Sequence, residues 1–150
     1  MKVTIGFRKA KKEDIDFLLL LRKKSMNKQL KKAGIVMNSS EHLARVEEFF
    51  YDSHMILRNR KAIGLLKLGL KTHSLHIRQF QILPEFQSKG IGTLVINVVK
   101  KRALQLCLPI TLNVLVNNPA RALYLRHGFQ IKNQNKFEYQ MFCPLEVVSA

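Results

Sequence analysis

Leu75-His76-Ile77-Arg78-Gln79-Phe80-Gln81-Ile82-Leu83-Pro84-Glu85-Phe86-Gln87-Ser88-Lys89-Gly90-Ile91-Gly92 reads as a long strand that runs through a short glycine-bearing loop into the start of a helix. A helix opening on small residues points several unpaired backbone N–H groups, and the positive end of its dipole, at whatever lies before it. That combination is an anion site. Gly90 and Gly92 leave the backbone bare enough for a pyrophosphate to lie against it, and Lys89 adds a positive charge. Two other phosphate loops are excluded by spelling. No glycine in the chain is followed by Lys and then Ser or Thr, as G-x-x-x-x-G-K-[ST] requires. A G-x-G-x-x-G fingerprint needs a glycine at Val95 and an acidic residue about 20 positions on, where the chain has Leu108-Pro109-Ile110-Thr111.

Within the strand, Leu75 and Ile77 put the apolar face on odd numbers, while Phe80 and Ile82 put it on even numbers. Either a β-bulge near Arg78 and Gln79 absorbs one residue, or the strand is buried on both faces. Downstream, a helix is expected from about Ile91 to Cys107, with Leu94, Val95, Val98, Val99, Ala103 and Leu106 on its buried face. Pro109 then begins a strand in which Ile110, Leu112, Val114 and Val116 alternate. Strand, loop, helix and strand make a βαβ unit, so the two strands should be parallel neighbours. Asn117 leads into another helix carrying Ala120, Leu123, Tyr124 and His127 on one stripe, and Gly128 stops it. Two last strands, Phe129 to Lys132 and Phe137 to Cys143, flank a turn at Asn133-Gln134-Asn135.

Upstream, Val3 to Arg8 reads as a strand and Glu13-Asp14-Ile15-Asp16 as the acidic first turn of a helix ending near Arg22-Lys23-Lys24. Residues 25 to 38 show no clear period and read as a loop containing Gly34. Ser39 or Ser40 is expected to cap a second helix with Leu43, Val46 and Phe50 on its buried stripe. Residues 54 to 58 and 62 to 71 form a hairpin around Arg58-Asn59-Arg60-Lys61, with Leu66, Leu68 and Leu70 alternating on one face.

At 150 residues the chain is expected to be one domain, residues 1–150, large enough to bury roughly 68 to 70% of its unfolded surface. Cys107 and Cys143 fall in helix and strand, which suggests neither a disulfide framework nor a metal site. Apolar runs are too short for a membrane span and the basic N-terminus lacks a cleavable apolar core, so a cytoplasmic protein is expected. Charge is the unusual quantity: 26 basic and 10 acidic residues give +16. Residues 1–32 hold 11 Lys or Arg against 3 acids, a net +8 and so half of that total. Such a surface attracts polyanions over a screening length of about 8 to 10 Å. It reads as a solvated basic face or as a site for a polyanionic partner.

The residues themselves are similar to a known family. Gln87 to Gly92 resembles the [QR]-x-x-G-x-[GA] pyrophosphate loop of the Gcn5-related N-acetyltransferase (GNAT) superfamily. Asn117-Asn118-Pro119-Ala120-Arg121-Ala122-Leu123-Tyr124-Leu125-Arg126-His127-Gly128-Phe129 resembles its second signature, N-x-x-A-x-x-L-Y-x-x-x-G-F, on the expected helix. Phe7 to Ala10 followed by Glu13-Asp14, and Leu83 to Phe86, are also similar to superfamily segments. The resemblance implies an α/β fold with a mixed, mostly antiparallel sheet of about seven strands, a splayed central parallel pair and about four flanking helices. It implies an acyl-CoA-dependent N-acetyltransferase, in which an amine attacks acetyl-CoA directly in a ternary complex. Backbone groups near Phe80 and Ile82 would bond the cofactor. The N–H groups of Gln87, Ser88, Lys89, Gly90, Ile91, Gly92 and Thr93 would take its pyrophosphate, and Asn117 and Tyr124 would also contact it.

Tyr124 matches the family tyrosine that protonates the leaving sulfur, a role open to a phenol of pKa about 10. His76 stands where some members carry a glutamate base, and an imidazole near pKa 6.5 suits that task. Glu85, His73 or a water chain remain alternatives. The expected acceptor is a small-molecule or peptide amine, of acidic character given Lys28, Lys31 and Lys32, with polyamines ranked below. No membrane partner is expected, nucleic acid ranks behind an amine, and a homodimer stays open. The competing class is a basic binding module that keeps this fold and acts through nucleic-acid or protein contacts.

Overall fold

In the computed structural model, which describes residues 3–148, the chain forms seven strands and five α-helices. Strands β1 (Gly6–Lys9), β2 (Ser53–Arg58), β3 (Lys61–Leu70), β4 (Leu75–Ile82), β5 (Ile110–Leu115), β6 (Gln130–Gln134) and β7 (Glu138–Cys143) make one sheet in the order β1-β2-β3-β4-β5-β7-β6. Every described pairing is antiparallel except β4 with β5, which is parallel as the βαβ reading requires. The helices are α1 (Ile15–Lys32), α2 (Ser39–Glu47), α3 (Ile91–Leu106), α4 (Ala120–Arg126) and the short α5 (Leu145–Val148). The chain divides into two compact units, one of residues up to Lys67 with Gln79–Ile91, the other of Leu68–Arg78 with Gly92 onward.

In the first unit, α1 is longer than its apolar period suggests. Residues 25 to 32 carry good helix formers and no breaker, so the helix continues until Gly34 adopts φ +77°. There Ile35 N–H bonds Leu30 O and Gly34 N–H bonds Lys31 O, closing the end as a Schellman motif. The expected loop is therefore only residues 33–38. Helix α2 is capped by Asn38, not by a serine: Asn38 Oδ1 accepts from Glu41 N–H at 2.9 Å while Glu41 Oε1 accepts from Asn38 N–H at 3.1 Å. This reciprocal pair needs an acceptor side chain three residues before an acid, and only Asn38 has Glu41 there. Its buried residues are His42 and Val46, with Phe50 beyond the helix end. Leu18, Leu21, Val46, Met55, Leu65 and Leu83 form the core of this unit.

The β2–β3 hairpin turns at Asn59 and Arg60, both at positive φ as a type I′ turn demands. Strand β3 is buried on both parities from Ile63 to Lys67, whereas Leu70 is 65% exposed, which overturns the single Leu66-Leu68-Leu70 face. Lys67 is the least expected core residue, at 1% exposure. Its Nζ donates to the carbonyls of Arg45 and Val46, each at 3.2 Å, and of Glu48 at 2.6 Å. Gln79 Nε2 adds a bond to Arg45 O at 3.1 Å. The carbonyls left open at the end of α2 are thus satisfied by side chains from the sheet. Gly64 lies against β4: a Cβ there would overlap the Gln81 carbonyl oxygen and sit 3.3 Å from Ile82 Cα. The irregularity here lies in β3, where Ile56 pairs with Gly64 but Leu57 with Ala62, leaving Ile63 as the extra residue. Gln81 and Ile82 are both buried, as a strand covered on both faces would have it.

In the second unit, the face of α3 is rotated from expectation. Val95, Val99 and Ala103 are buried, but Ile96 joins them and Val98 is 43% exposed. Strand β5 pairs with β4 at Leu75/Ile110, His76/Thr111 and Ile77/Leu112, and with β7 on its other side. Helix α4 ends as expected, with Gly128 at φ +87° and Phe129 N–H returning to Tyr124 O. Arg121 ties α4 to β7, donating to Tyr139 Oη at 2.8 Å with its guanidinium 5.0 Å from the ring centre.

Candidate active site

Of the residues singled out by sequence, Phe80, Ile82 and Gln87 to Ile91 belong to the first unit. Pro84–Phe86 makes one 3-10 turn after β4, and Gln87, Ser88, Lys89 and Gly90 then run exposed to the head of α3. Gln87 N–H returns to Pro84 O, but the described backbone bonds use none of the N–H groups of Ser88, Lys89 or Gly90. Ser88 and Gly90 adopt φ +59° and +82°, and no atom lies within 4 Å of where a Gly90 Cβ would be. Consecutive N–H groups of alternating backbone handedness at a helix start make a concave geometry of a kind that can accept an anion. Gln87 departs from the sequence expectation, because its N–H, expected to take the pyrophosphate, is already given to Pro84 O. Its Nε2 donates to Ile82 O at 2.9 Å, so its side chain ties the loop to the strand end.

Gly92, Thr93, Asn117, Tyr124 and His76 belong to the second unit. Gly92 has a packing reason that sequence reading missed: a Cβ there would stand 2.8 Å from Leu123 Cδ2. The first turn of α3 and the middle of α4 touch at this point, and Thr93 Oγ1 meets His127 Nε2 at 3.2 Å beside it. Asn117 is exposed, while its neighbour Asn118 accepts from Ala120 N–H at 2.9 Å and starts α4. Tyr124 is 4% exposed, with its ring tilted against Phe129 at 5.4 Å between centroids. Burial pushes its phenol well above the usual range, so it carries its proton throughout the neutral and alkaline region. Its hydroxyl makes no hydrogen bond to a described residue.

His76 stands on β4 opposite Thr111 of β5, with Nδ1 2.7 Å from Thr111 Oγ1, and Thr111 donates onward to Ser74 Oγ at 3.1 Å. A threonine hydroxyl whose proton goes to Ser74 accepts from His76, which puts the imidazole proton on Nδ1 and leaves a lone pair on Nε2. The tautomer suits a base. Burial first, then the charges of Lys71 and Arg78, lower its pKa to about 4, so the ring is neutral at pH 7 but more weakly basic than its type implies. His73 and Glu85, the alternatives, are both exposed.

This shift has a readout in stability. An imidazole protonating at about 4 when folded and near 6.5 when unfolded stabilises the fold fully above pH 6.5 and loses that contribution as the pH falls toward 4. Discounted for its partial exposure, His76 is expected to account for about 1 to 2 kcal/mol over that window. His42 and His127, also lowered mainly by burial, act in the same direction. Asp14, held low by its hydrogen bonds with Arg8, acts only at more acid pH. Thermal unfolding of wild type and His76→Gln at several pH values between 4 and 8 checks this. The variant should lose less stability on acidification, and parallel curves would refute the assignment.

Among the described residues, no cluster of His, Cys, Asp or Glu has the makings of a metal site, and no helix is long and apolar enough to cross a membrane. Cys107 is exposed and Cys143 buried, and neither is in a disulfide. The polar residues that sequence reading passed over are Lys67 and the trio Arg22, His42 and Asn27. The available signal was positional: Arg22 follows Leu18 by four residues and adjoins Leu21, so helical periodicity turns it inward.

Three comparisons bear on the whole chain. No curated protein matches it. Solved structures are similar to it in fold. The PaiA N-acetyltransferase of Thermoplasma acidophilum, in complex with coenzyme A, superposes with a TM-score of 0.73 at 18% identity, over 94% of this chain and 99% of that one. An acetyltransferase from Thermus thermophilus gives 0.77 at 16% identity, over 95% and 97%. The spermidine N-acetyltransferase of Vibrio cholerae, in complex with CoA and spermine, gives 0.71 at 21%, over 97% and 98%. These likenesses establish a shared fold, and the model of the acetyltransferase (GNAT) family matches residues 24–129, a span holding the glycine loop, βαβ unit and Tyr124 helix. On that match, the chain belongs to the acetyltransferase (GNAT) family.

Proposed function

We propose that this protein is an acetyl-CoA-dependent N-acetyltransferase acting as a single domain on a primary amine. The observation that carries the reading is the open nest at Ser88 to Gly90, whose unclaimed N–H groups and bare Gly90 fit a pyrophosphate. Lys89 supplies a charge next to it, and the first-turn N–H groups of α3, at Ile91, Gly92 and Thr93, would extend the donors because a helix start has no intrahelical acceptors for them. Phe80 and Ile82 would offer backbone groups to the cofactor's amides, though the Ile82 carbonyl is already engaged by Gln87. Asn117 would add a side-chain contact.

When bound, acetyl-CoA supplies a thioester whose carbonyl carbon forms a bond to the amine nitrogen while the C–S bond breaks. The chain's own residues then have two proton tasks. Tyr124, protonated and buried, gives a proton or a strong hydrogen bond to the departing sulfur. His76, neutral with its Nε2 lone pair free, accepts the amine's proton, with Thr111 and Ser74 holding the tautomer. Because its pKa is so low, His76 acts as a relay that passes the proton to water, not as its final resting place. Exposed Lys24, Lys28, Lys31 and Lys32 on α1 support an acceptor bearing negative charge.

Thermal unfolding with and without acetyl-CoA tests this reading. At 100-fold above Kd the ligand should add about 2.7 kcal/mol, roughly 5 to 10 °C for a domain of this size. Gly90→Glu puts a carboxylate over the nest at a φ of +82°, and is expected to abolish the shift whatever it does to the starting Tm. A wild type that does not respond to acetyl-CoA would sink the proposal.

A further inference from the structure

Helix α1 carries two different charge patterns along its length. At its start Lys11 and Lys12 stand beside Glu13, Asp14 and Asp16, and Asp14 also pairs with Arg8 at 2.8 Å. From Phe17 to Lys32 there are six basic residues and no acid. Two of the six are taken into the fold. Arg22 is buried, with Nε donating to His42 Nδ1 at 3.1 Å while His42 Nε2 meets Asn27 Oδ1 at 2.9 Å, and half-buried Lys23 donates to Ser39 Oγ at 3.0 Å. The other four, Lys24, Lys28, Lys31 and Lys32, are exposed. They fall at i, i+4, i+7 and i+8, on one face of the helix, with Arg22 and Leu30 buried on the opposite side.

Like charges at these spacings repel. Lys28 has Lys24 four residues before it, and Lys31 and Lys32 three and four residues after it. Only Lys31 and Lys32 lie in the last turn, where the helix dipole favours a cation. A face that needs only to be solvated is stabilised by charges of both signs, as at the start of α1. A face of one sign keeps its repulsion until a polyanion relieves it.

The chemistry of the face selects among polyanions. At about 1.5 Å per residue the row from Lys24 to Lys32 is about 12 Å long, and a duplex with one charge per roughly 1.7 Å of its axis presents about seven phosphates over that length. Lysine ammonium groups are compact point charges on flexible stems, suited to phosphates and not to reading base edges. No residue from Lys24 to Lys32 is aromatic, so the bases of a single strand have nothing there to stack on. The exposed large apolar residue of α1 is Leu20, at 47%, whereas Leu18, Leu21 and Leu30 are buried in the protein's own core, which leaves no apolar face to enter a bilayer.

We propose that the face of α1 bearing Lys24, Lys28, Lys31 and Lys32 is a docking surface for the phosphate backbone of a double-stranded nucleic acid. The surface lies entirely within the first compact unit. It does not depend on acetyl transfer and stands whether or not acetyl-CoA binds.

The test is fluorescence anisotropy of a labelled 20-base-pair DNA duplex of mixed sequence, titrated with the full chain at several salt concentrations. Four phosphate contacts predict a fall in affinity of about 100-fold between 50 and 200 mM salt. Changing Lys24, Lys28, Lys31 and Lys32 together to Gln should weaken binding at least 30-fold at 50 mM salt. An equal charge removed from exposed Lys101, Arg102, Lys132 and Lys136, also as Gln, should cost no more than about fivefold. Glutamine is a good helix former and removes the repulsion, so the Tm of the α1 variant should not fall. The single change Lys28→Gln, which leaves the other three lysines, should lower the slope of log Kd against log salt by about 1. Equal losses in the two fourfold variants would mean that net charge and not this face binds, and would overturn the proposal. So would an unchanged slope in Lys28→Gln, tighter binding of the single strand, or polyglutamate or phosphatidylserine vesicles bound as tightly as the duplex.

Discussion

Tyr124→Phe is expected to lower kcat for acetyl transfer about 100-fold or more, with the thermal shift from acetyl-CoA unchanged. General acid catalysis by a placed side chain contributes on the order of 100- to 10,000-fold, and the substitution removes one oxygen and nothing else. The structure makes this a clean experiment. The ring is buried against Phe129 and stays so in the variant, and no hydrogen bond to a described residue is lost with the hydroxyl, so stability should move by less than about 0.5 kcal/mol. Since burial raises the phenol's pKa, the wild-type profile should show no fall from tyrosine ionisation up to about pH 10. Steady-state rates on the best acceptor, beside Tm values with and without acetyl-CoA, decide it. A variant within threefold of wild type would remove Tyr124 from the chemistry.

Lys67→Met is expected to be the most destabilising single change among the polar residues, at about 3 to 5 kcal/mol, or roughly 10 °C or more in Tm. Methionine keeps the apolar stem and removes an ammonium that serves three carbonyls at the end of α2. Charge-assisted bonds contribute about 1.5 to 3 kcal/mol each in net terms, they are not additive, and carbonyls stranded in the interior carry their own desolvation penalty. Because these carbonyls close α2, local order should suffer first. Hydrogen exchange should show the amides of Glu41 to Glu47 losing protection ahead of those of β2 and β3. A Tm within about 2 °C of wild type would mean that water or Gln79, already on the Arg45 carbonyl, satisfies the helix end.

Much of the fold was legible because it is written in short-range pattern. The glycine loop sits between β4 and α3, the alternation of Ile110, Leu112 and Val114 makes β5 a buried strand, and Gly128 ends α4 at the expected position. Where the pattern faded, the reading failed. Residues 25 to 32 have a single fully buried apolar residue, Leu30, so a helix with little left to bury looked like a loop. The cap of α2 lies one or two residues before the expected Ser39 or Ser40 because Asn, Ser and Ser are all good caps, and only the return bond from Glu41 distinguishes them. The expected faces of α3 and β3 erred for a related reason. Both elements carry apolar residues on several sides, and periodicity does not rank them when neighbours cover more than one.

The candidate site divides along the same line. Local spelling was enough for the glycine loop between β4 and α3, the helix bearing Tyr124 and the parallel β4–β5 pair, because each depends on residues within a few positions of one another and on the backbone geometry that glycine, proline and apolar alternation impose. The electrostatics came from long-range packing alone. His76 loses basicity because the sheet covers it and the charges of Lys71 and Arg78 stand near it, while Thr111, 35 residues away, fixes its tautomer. Lys67 becomes a core residue because the carbonyls it satisfies lie 19 to 22 residues upstream. Arg22 turns from one of a run of basic residues into a buried, braced cation because α2 brings His42 to its Nε. A charge is tolerated inside a protein only where distant chain supplies its partners, and those partners exist only once the chain has folded.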